Sequence, residues 1–175
     1  MLDIGTTGLE LRGEKVSLRS FSEANLTPAY VGWLSDPQLM RFSNQRLRSH
    51  DLASCRSYFN SFRGSDNLFI AIYHDEQFIG TMTVYATPSH GTADIGLLIG
   101  SGGAGRGLGS DAWNTMLQHL LRCGVRKVTG GTLRCNQAMV RIMQSCGMQP
   151  DGVRVGQELV DGQPQDILYF ARFQS

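Results

Sequence analysis

A chain of 175 residues with 41% hydrophobic side chains can bury a core of its own and is expected to form one domain over residues 1–175. Its formal charge of +1 argues against a nucleic-acid surface, and the basic residues are nearly all arginine, Lys15 and Lys127 being the only lysines. No apolar run approaches the ~20 residues of a membrane helix, and Cys55, Cys123, Cys135 and Cys146 form no C-x-x-C pair. With no signal-like run at the start, the expectation is a cytoplasmic protein with free thiols and no metal.

Residues 1–8 read as a loose lead-in, and 9–21 (LELRGEKVSLRSF) as a first strand carrying Val16, Leu18 and Phe21. Thr27-Pro28 supplies an N-cap and a first helical residue, and the helix with Tyr30, Val31, Trp33 and Leu34 stops at Ser35-Asp36-Pro37. Residues 38–50 show no useful period but gather Arg41, Arg46, Arg48 and His50. A second helix is expected from Ser49, with Leu52, Cys55, Phe59 and Phe62 on one stripe, ending at 64–67. Strands at 68–73 and 78–86 flank the polar residues His74-Asp75-Glu76-Gln77 as a hairpin, and Pro88-Ser89-His90-Gly91 turns into the next strand.

The most informative stretch runs from Ala93 to Gly124: a short apolar strand, a loop with glycine at 100, 102, 103, 105, 107 and 109, then a helix. In that helix Leu108, Ala112, Trp113, Met116, Leu117, Leu120 and Leu121 keep a 3.6-residue spacing. The first N–H groups of a helix have no partner within it, and the macrodipole adds partial positive charge there. Strand, glycine loop and helix therefore make a cradle for a phosphate or pyrophosphate. A strand at 126–133 follows, then a helix capped by Asn136 with Met139, Ile142, Met143 and Cys146 inward, and a final hairpin of 153–160 and 167–173. Only the connection from 94–99 through the central helix to 126–133 has the form that parallel pairing needs. The order β-α-α-β-β-β-α-β-α-β-β predicts an α+β fold: a mixed, mostly antiparallel sheet flanked by helices.

From about Leu11 to Phe173 the sequence resembles the GNAT (Gcn5-related) N-acetyltransferase superfamily, in particular its ribosomal-protein and sugar-amine acetyltransferase branch. The family's acetyl-CoA signature, Gln/Arg-x-x-Gly-x-Gly/Ala, is matched by Ala104-Gly105-Arg106-Gly107-Leu108-Gly109. Asn136 after the fifth strand, the helix end Cys146-Gly147-Met148, and the opening LRSF…YVGWLSDP add to the match. Three positions depart: Ala104 replaces the first signature residue, Met139 a common serine, and Met143 the tyrosine that often protonates the leaving thiolate.

Acetyl transfer from a thioester to an amine needs a neutral amine, a polarised carbonyl and a thiolate that leaves. An alkyl ammonium has a pKa near ~10 and a thiol near ~8.5, so removing the amine proton is the harder step. The resemblance implies that the backbone of Leu97, Leu98 and Ile99 pairs with pantetheine. It implies too that Gly105, Arg106, Gly107, Leu108, Gly109 and Ser110 donate N–H groups to the pyrophosphate, with Asn136 alongside. Gly96 fits a bulge or a close backbone approach. Asp94 is the leading candidate to accept the amine proton, Glu158 the second, and Cys135 a candidate to lie near the thioester sulfur.

The acceptor expected first is an amino sugar, free or nucleotide-linked, with Arg41, Arg46 and Arg48 docking any phosphate; a protein N-terminus is second. The final hairpin offers an edge for a homodimer. Two other readings use the same residues: an acyl-CoA-sensing module without turnover, and a dinucleotide site at Gly100-Ser-Gly102-Gly-Ala-Gly105. The dinucleotide reading lacks the acidic residue expected about 20 positions on. A Walker A loop is excluded because no Gly-Lys-Ser/Thr occurs.

Overall fold

The computed structural model describes residues 4, 5 and 8–174. Its single sheet has eight strands in the order β1-β2-β3-β4-β5-β6-β8-β7. These are β1 (Glu10–Arg12), β2 (Ser17–Ser20), β3 (Leu68–His74), β4 (Gln77–Thr87), β5 (Thr92–Ile99), β6 (Lys127–Leu133), β7 (Gln149–Val160) and β8 (Gln163–Phe173). Four α-helices accompany them: α1 (Pro28–Ser35), α2 (Leu52–Asn60), α3 (Leu108–Arg122) and α4 (Gln137–Ser145).

The expected first strand is a hairpin. The chain reverses where Gly13 N–H bonds the Val16 carbonyl at 2.8 Å, and two short strands joined this way alternate in sequence like one long strand. Of the lead-in, residues 1–3, 6 and 7 lie outside the described residues, whereas Ile4 is 2% exposed and packs in the core. The α1 cap is as expected, Thr27 Oγ1 accepting from Tyr30 N–H. Helix α2 starts later than Ser49, because Asp51 and Ser54 close a capping box; Leu52 is exposed and Cys55 buried.

Two cores lie on opposite faces of the sheet. On one, Leu108, Ala112, Trp113, Met116, Leu117 and Leu120 of α3 pack with Val140 and Met143 of α4 against Ile70, Ile72, Val84 and Ile95. Burying each large side chain there contributes roughly 1.5–3 kcal/mol. On the other face an aromatic cluster of Phe21, Tyr30, Phe69 and neighbouring rings seats α1 and α2. The sheet is antiparallel except between β5 and β6, as the one strand-helix-strand connection required.

Candidate active site

The parallel pair is short. Thr92, Ala93 and Asp94 register with Lys127, Val128 and Thr129, but β5 continues to Ile99 and β6 to Leu133 without pairing to each other, so the two strands part beyond Asp94. The β4–β5 register is unbroken, and Gly100 N–H bonds the Ile79 carbonyl at 2.8 Å. Backbone direction alternates along a strand. Leu98, Gly96 and Asp94 therefore bond toward β4, while the N–H and C=O groups of Ile95, Leu97 and Ile99 face the fork. Of the three strand residues expected to present backbone to a ligand, Leu97 and Ile99 turn their N–H and C=O groups to the fork, whereas Leu98 has its backbone committed to β4. Gly96 sits in no bulge; a Cβ there would stand 2.7 Å from Thr83 Oγ1, so close approach accounts for it.

Two cavities open at the fork. The larger, about 390 Å³, is walled by Tyr30, Phe42, Tyr58, Gly96, Thr132 and Met139 among others; Asn136 also reaches it. The second, about 260 Å³, brings Asp94 and Glu158 together with Asn44 and Tyr169, and shares Phe42, Gly131 and Thr132 with the first. Asp94 Oδ2 accepts a 2.7 Å hydrogen bond from Thr129 Oγ1, and no salt bridge reaches it among the described residues. Its side chain opens to the cavity, but the surrounding protein raises its pKa by desolvation; the Thr129 bond acts in the opposite, lowering direction. Glu158 reaches the cavity because β7 is irregular between Arg154 and Glu158, and an irregularity of this kind re-aims the side chains after it. Asn44 Nδ2 donates to it at 2.9 Å and Arg46 lies 3.9 Å away, so its charge is compensated.

The arginine-rich stretch forms a strap over this opening. Arg41 pairs with Asp161 at 3.1 Å, and Arg46 donates to the Leu159 carbonyl at 2.9 Å and the Ser43 carbonyl at 2.8 Å. These two guanidiniums hold the strap to the β7–β8 hairpin and are engaged within the chain. Sequence reasoning missed the strap's cavity residues Phe42 and Asn44, and also Tyr30 and Tyr58, because no local pattern marks them. Cys135 lies on the turn after β6 and lines neither cavity. Met143 is fully buried, beside the place a Cβ on Gly130 would take.

Beyond β5 the glycine loop leads into α3, whose N-cap Gly107 has φ +74°. Asp111 N–H bonds the Gly107 carbonyl, whereas the N–H groups of Gly107, Leu108, Gly109 and Ser110 have no backbone partner among the described residues. A Cβ on Gly109 would meet Ile142 at 3.2 Å and Leu97 at 3.3 Å, so a residue without a side chain lets α3 sit close to β5 and α4. The Arg106 guanidinium turns to His74 Nε2 at 2.8 Å. Asn136 caps α4, accepting from Met139 N–H, and donates to Thr132 Oγ1 at 3.1 Å. Among the described residues no group of three or more His, Cys, Asp or Glu could hold a metal ion.

The sequence model for the acetyltransferase (GNAT) domain matches residues 15–149. The chain belongs to the GNAT acetyltransferase family. It is accordingly an N-acetyltransferase that uses acetyl-CoA as co-substrate. No curated protein matches the acetyltransferase in sequence. Its fold is similar to that of a GNAT acetyltransferase from Bacillus anthracis, with a TM-score of 0.80 at 17% identity, covering 95% of this chain and 99% of the other. RimL, the ribosomal L7/L12 alpha-N-protein acetyltransferase solved with coenzyme A, gives 0.83 at 18% identity over 94% and 98% of the two chains. A spermidine N-acetyltransferase from Vibrio cholerae, solved with CoA and spermine, gives 0.81 at 15% identity over 91% and 96%.

Proposed function

We propose that this acetyltransferase moves the acetyl group of acetyl-CoA directly onto a weakly basic primary amine held beside Asp94. The observation that carries the reading is the Asp94 carboxylate, set at the parting of β5 and β6 without a cationic partner in a cavity lined by polar groups. A carboxylate in that position attracts an ammonium and accepts its proton. Glu158, already compensated by Asn44 and Arg46, shapes the acceptor end of the cavity. The pantetheine arm would occupy the fork, with the N–H groups of Leu97 and Ile99 available to the thioester carbonyl. The unpaired N–H groups of Gly107, Leu108, Gly109 and Ser110 would hold the pyrophosphate. Gly105 belongs to the loop's turn, and the placing of Cys135 outside both cavities favours direct attack over an acetyl-cysteine intermediate.

A carboxylate suits an amine less basic than lysine, and α-amino groups titrate near ~8 against ~10.4 for a lysine side chain. An amino sugar also has a depressed amine pKa, since its electronegative oxygens withdraw charge. Ser43, Gln45, Thr81, Thr83 and Thr132 offer hydrogen bonds to hydroxyl groups around the larger cavity. The acceptor class is therefore an amino sugar, without a phosphate held by Arg41 or Arg46, whose guanidiniums are engaged by the hairpin; a peptide N-terminus is second. The protein would work in the cytoplasm, where its cysteines stay reduced.

The test is CoA thiol release with a panel of amino sugars, nucleotide-linked amino sugars, peptides with free N-termini, polyamines and lysine. Highest kcat/KM on an unphosphorylated amino sugar supports the assignment. Preference for a nucleotide-linked sugar, or for lysine and polyamines, overturns it.

A further inference from the structure

We propose that Lys15 is a positioning residue that sets the direction of the Arg106–Gly107 peptide, and with it the N–H aimed at the cofactor. The inference rests on the reading that the glycine loop holds the pyrophosphate of acetyl-CoA. Lys15 stands on the turn between β1 and β2, 91 residues from its partner, and its Nζ donates to the Arg106 carbonyl at 3.1 Å. In a trans peptide the C=O and the following N–H point in opposite directions. Fixing the Arg106 carbonyl toward the ammonium therefore sends the Gly107 N–H to the opposite side of that peptide. Gly107 is the residue that makes this necessary. As glycine it accepts either sign of φ, so the peptide before it can flip at little cost. A flipped peptide would present a carbonyl oxygen to an anion.

The brace is itself held in place. The Asp111 carboxylate accepts from the backbone N–H groups of Glu14, Lys15 and Val16 at 3.1, 2.7 and 3.0 Å, tying the turn to α3. His74 closes a ring. Its Nδ1 donates to the Lys15 carbonyl at 2.7 Å, which leaves Nε2 to accept from Arg106 at 2.8 Å, with the Asp75 carboxylate 3.3 Å from the same nitrogen. Arg106 is thus anchored through both its carbonyl and its guanidinium. The arrangement gives the chain's isolated lysine at residue 15 a task that the glycine signature leaves open.

The experiment measures binding of CoA, dephospho-CoA and pantetheine to the wild-type protein, Lys15→Met and Lys15→Arg, at low and high salt. The expected result is that Lys15→Met weakens CoA and dephospho-CoA alike by about tenfold, because both carry the pyrophosphate, and leaves pantetheine unchanged. The deficit persists at high salt, and Lys15→Arg, which still donates, restores most of the affinity. Equal loss with pantetheine, loss with CoA but not dephospho-CoA, or a deficit abolished by salt would overturn the positioning role. The last two outcomes would make Lys15 a direct phosphate contact. If the wild-type protein binds pantetheine as tightly as CoA, the pyrophosphate reading of the loop fails instead.

Discussion

Replacing Asp94 by Asn separates charge from shape at the fork. Asparagine keeps the volume and an oxygen that can accept the 2.7 Å bond from Thr129, but it carries no charge for the surrounding protein to desolvate. A carboxyl whose pKa is raised in the folded state contributes stability only in its protonated form. That contribution is complete below the unfolded value of about 3.9 and is lost as pH rises through the folded value. Asp94→Asn is therefore expected to melt above the wild type at pH 7–8 and to converge with it in acid. Activity moves the other way. A positioned general base is worth roughly 10²–10⁴-fold, or about 2.7–5.4 kcal/mol in the barrier. The assay is kcat/KM for acetyl transfer between pH 5 and 9, with melting temperatures in the same buffers. Wild-type kcat/KM falls on the acid side as Asp94 protonates, and the variant loses both the rate and that limb. Wild-type kcat/KM in the variant would exclude Asp94 as the base, and a lower melting temperature at pH 8 would exclude desolvation of its charge.

Thr129→Val removes the hydrogen bond that lowers the Asp94 pKa, so the acid limb of the pH profile should move to higher pH while Thr129→Ser leaves it in place; unchanged profiles would show that the bond is idle. Gly130→Ala would set a Cβ 2.7 Å from two ring carbons of Trp113, itself 1% exposed, and overpacking of this kind costs about 1–3 kcal/mol. Each kcal/mol lowers the midpoint of a chain this size by roughly 2–4 °C, which a thermal melt resolves. Asp111→Ala leaves three backbone N–H groups without their carboxylate, and a loss of about 1–3 kcal/mol in denaturant unfolding is expected; unaltered stability would show that water replaces the carboxylate freely.

The sequence is most legible where local chemistry dictates local structure. Thr27-Pro28 opens α1 and Asn136 caps α4 with the very side chains their types predict. The glycine loop between an apolar strand and a periodic helix is equally plain, as is the single parallel pair that such a connection demands. Asp94 draws notice as a candidate because it is an acidic residue near the start of the strand that leads into that loop. What stays hidden depends on partners far away in the chain. Nothing near Arg41, Asn44 or Arg46 announces Asp161, Glu158 or Leu159, so the strap reads as a patternless arginine cluster. The β1–β2 hairpin is hidden for another reason, since its turn at Gly13 preserves the alternation of a single strand. Lys15 meets Arg106 only because Asp111 draws the turn onto α3.

In the proposed mode of binding, acetyl-CoA lies in the fork between β5 and β6 with its pyrophosphate on the first turn of α3. Backbone amide NMR of the ¹⁵N-labelled protein during titration with CoA tests it most directly. Large, saturable shifts are expected at Leu97, Ile99, Gly107, Leu108, Gly109 and Ser110, with Leu98, whose N–H is bonded to β4, moving less. Shifts that bypass the fork and the helix start, or equal shifts at those amides with NAD, would contradict it.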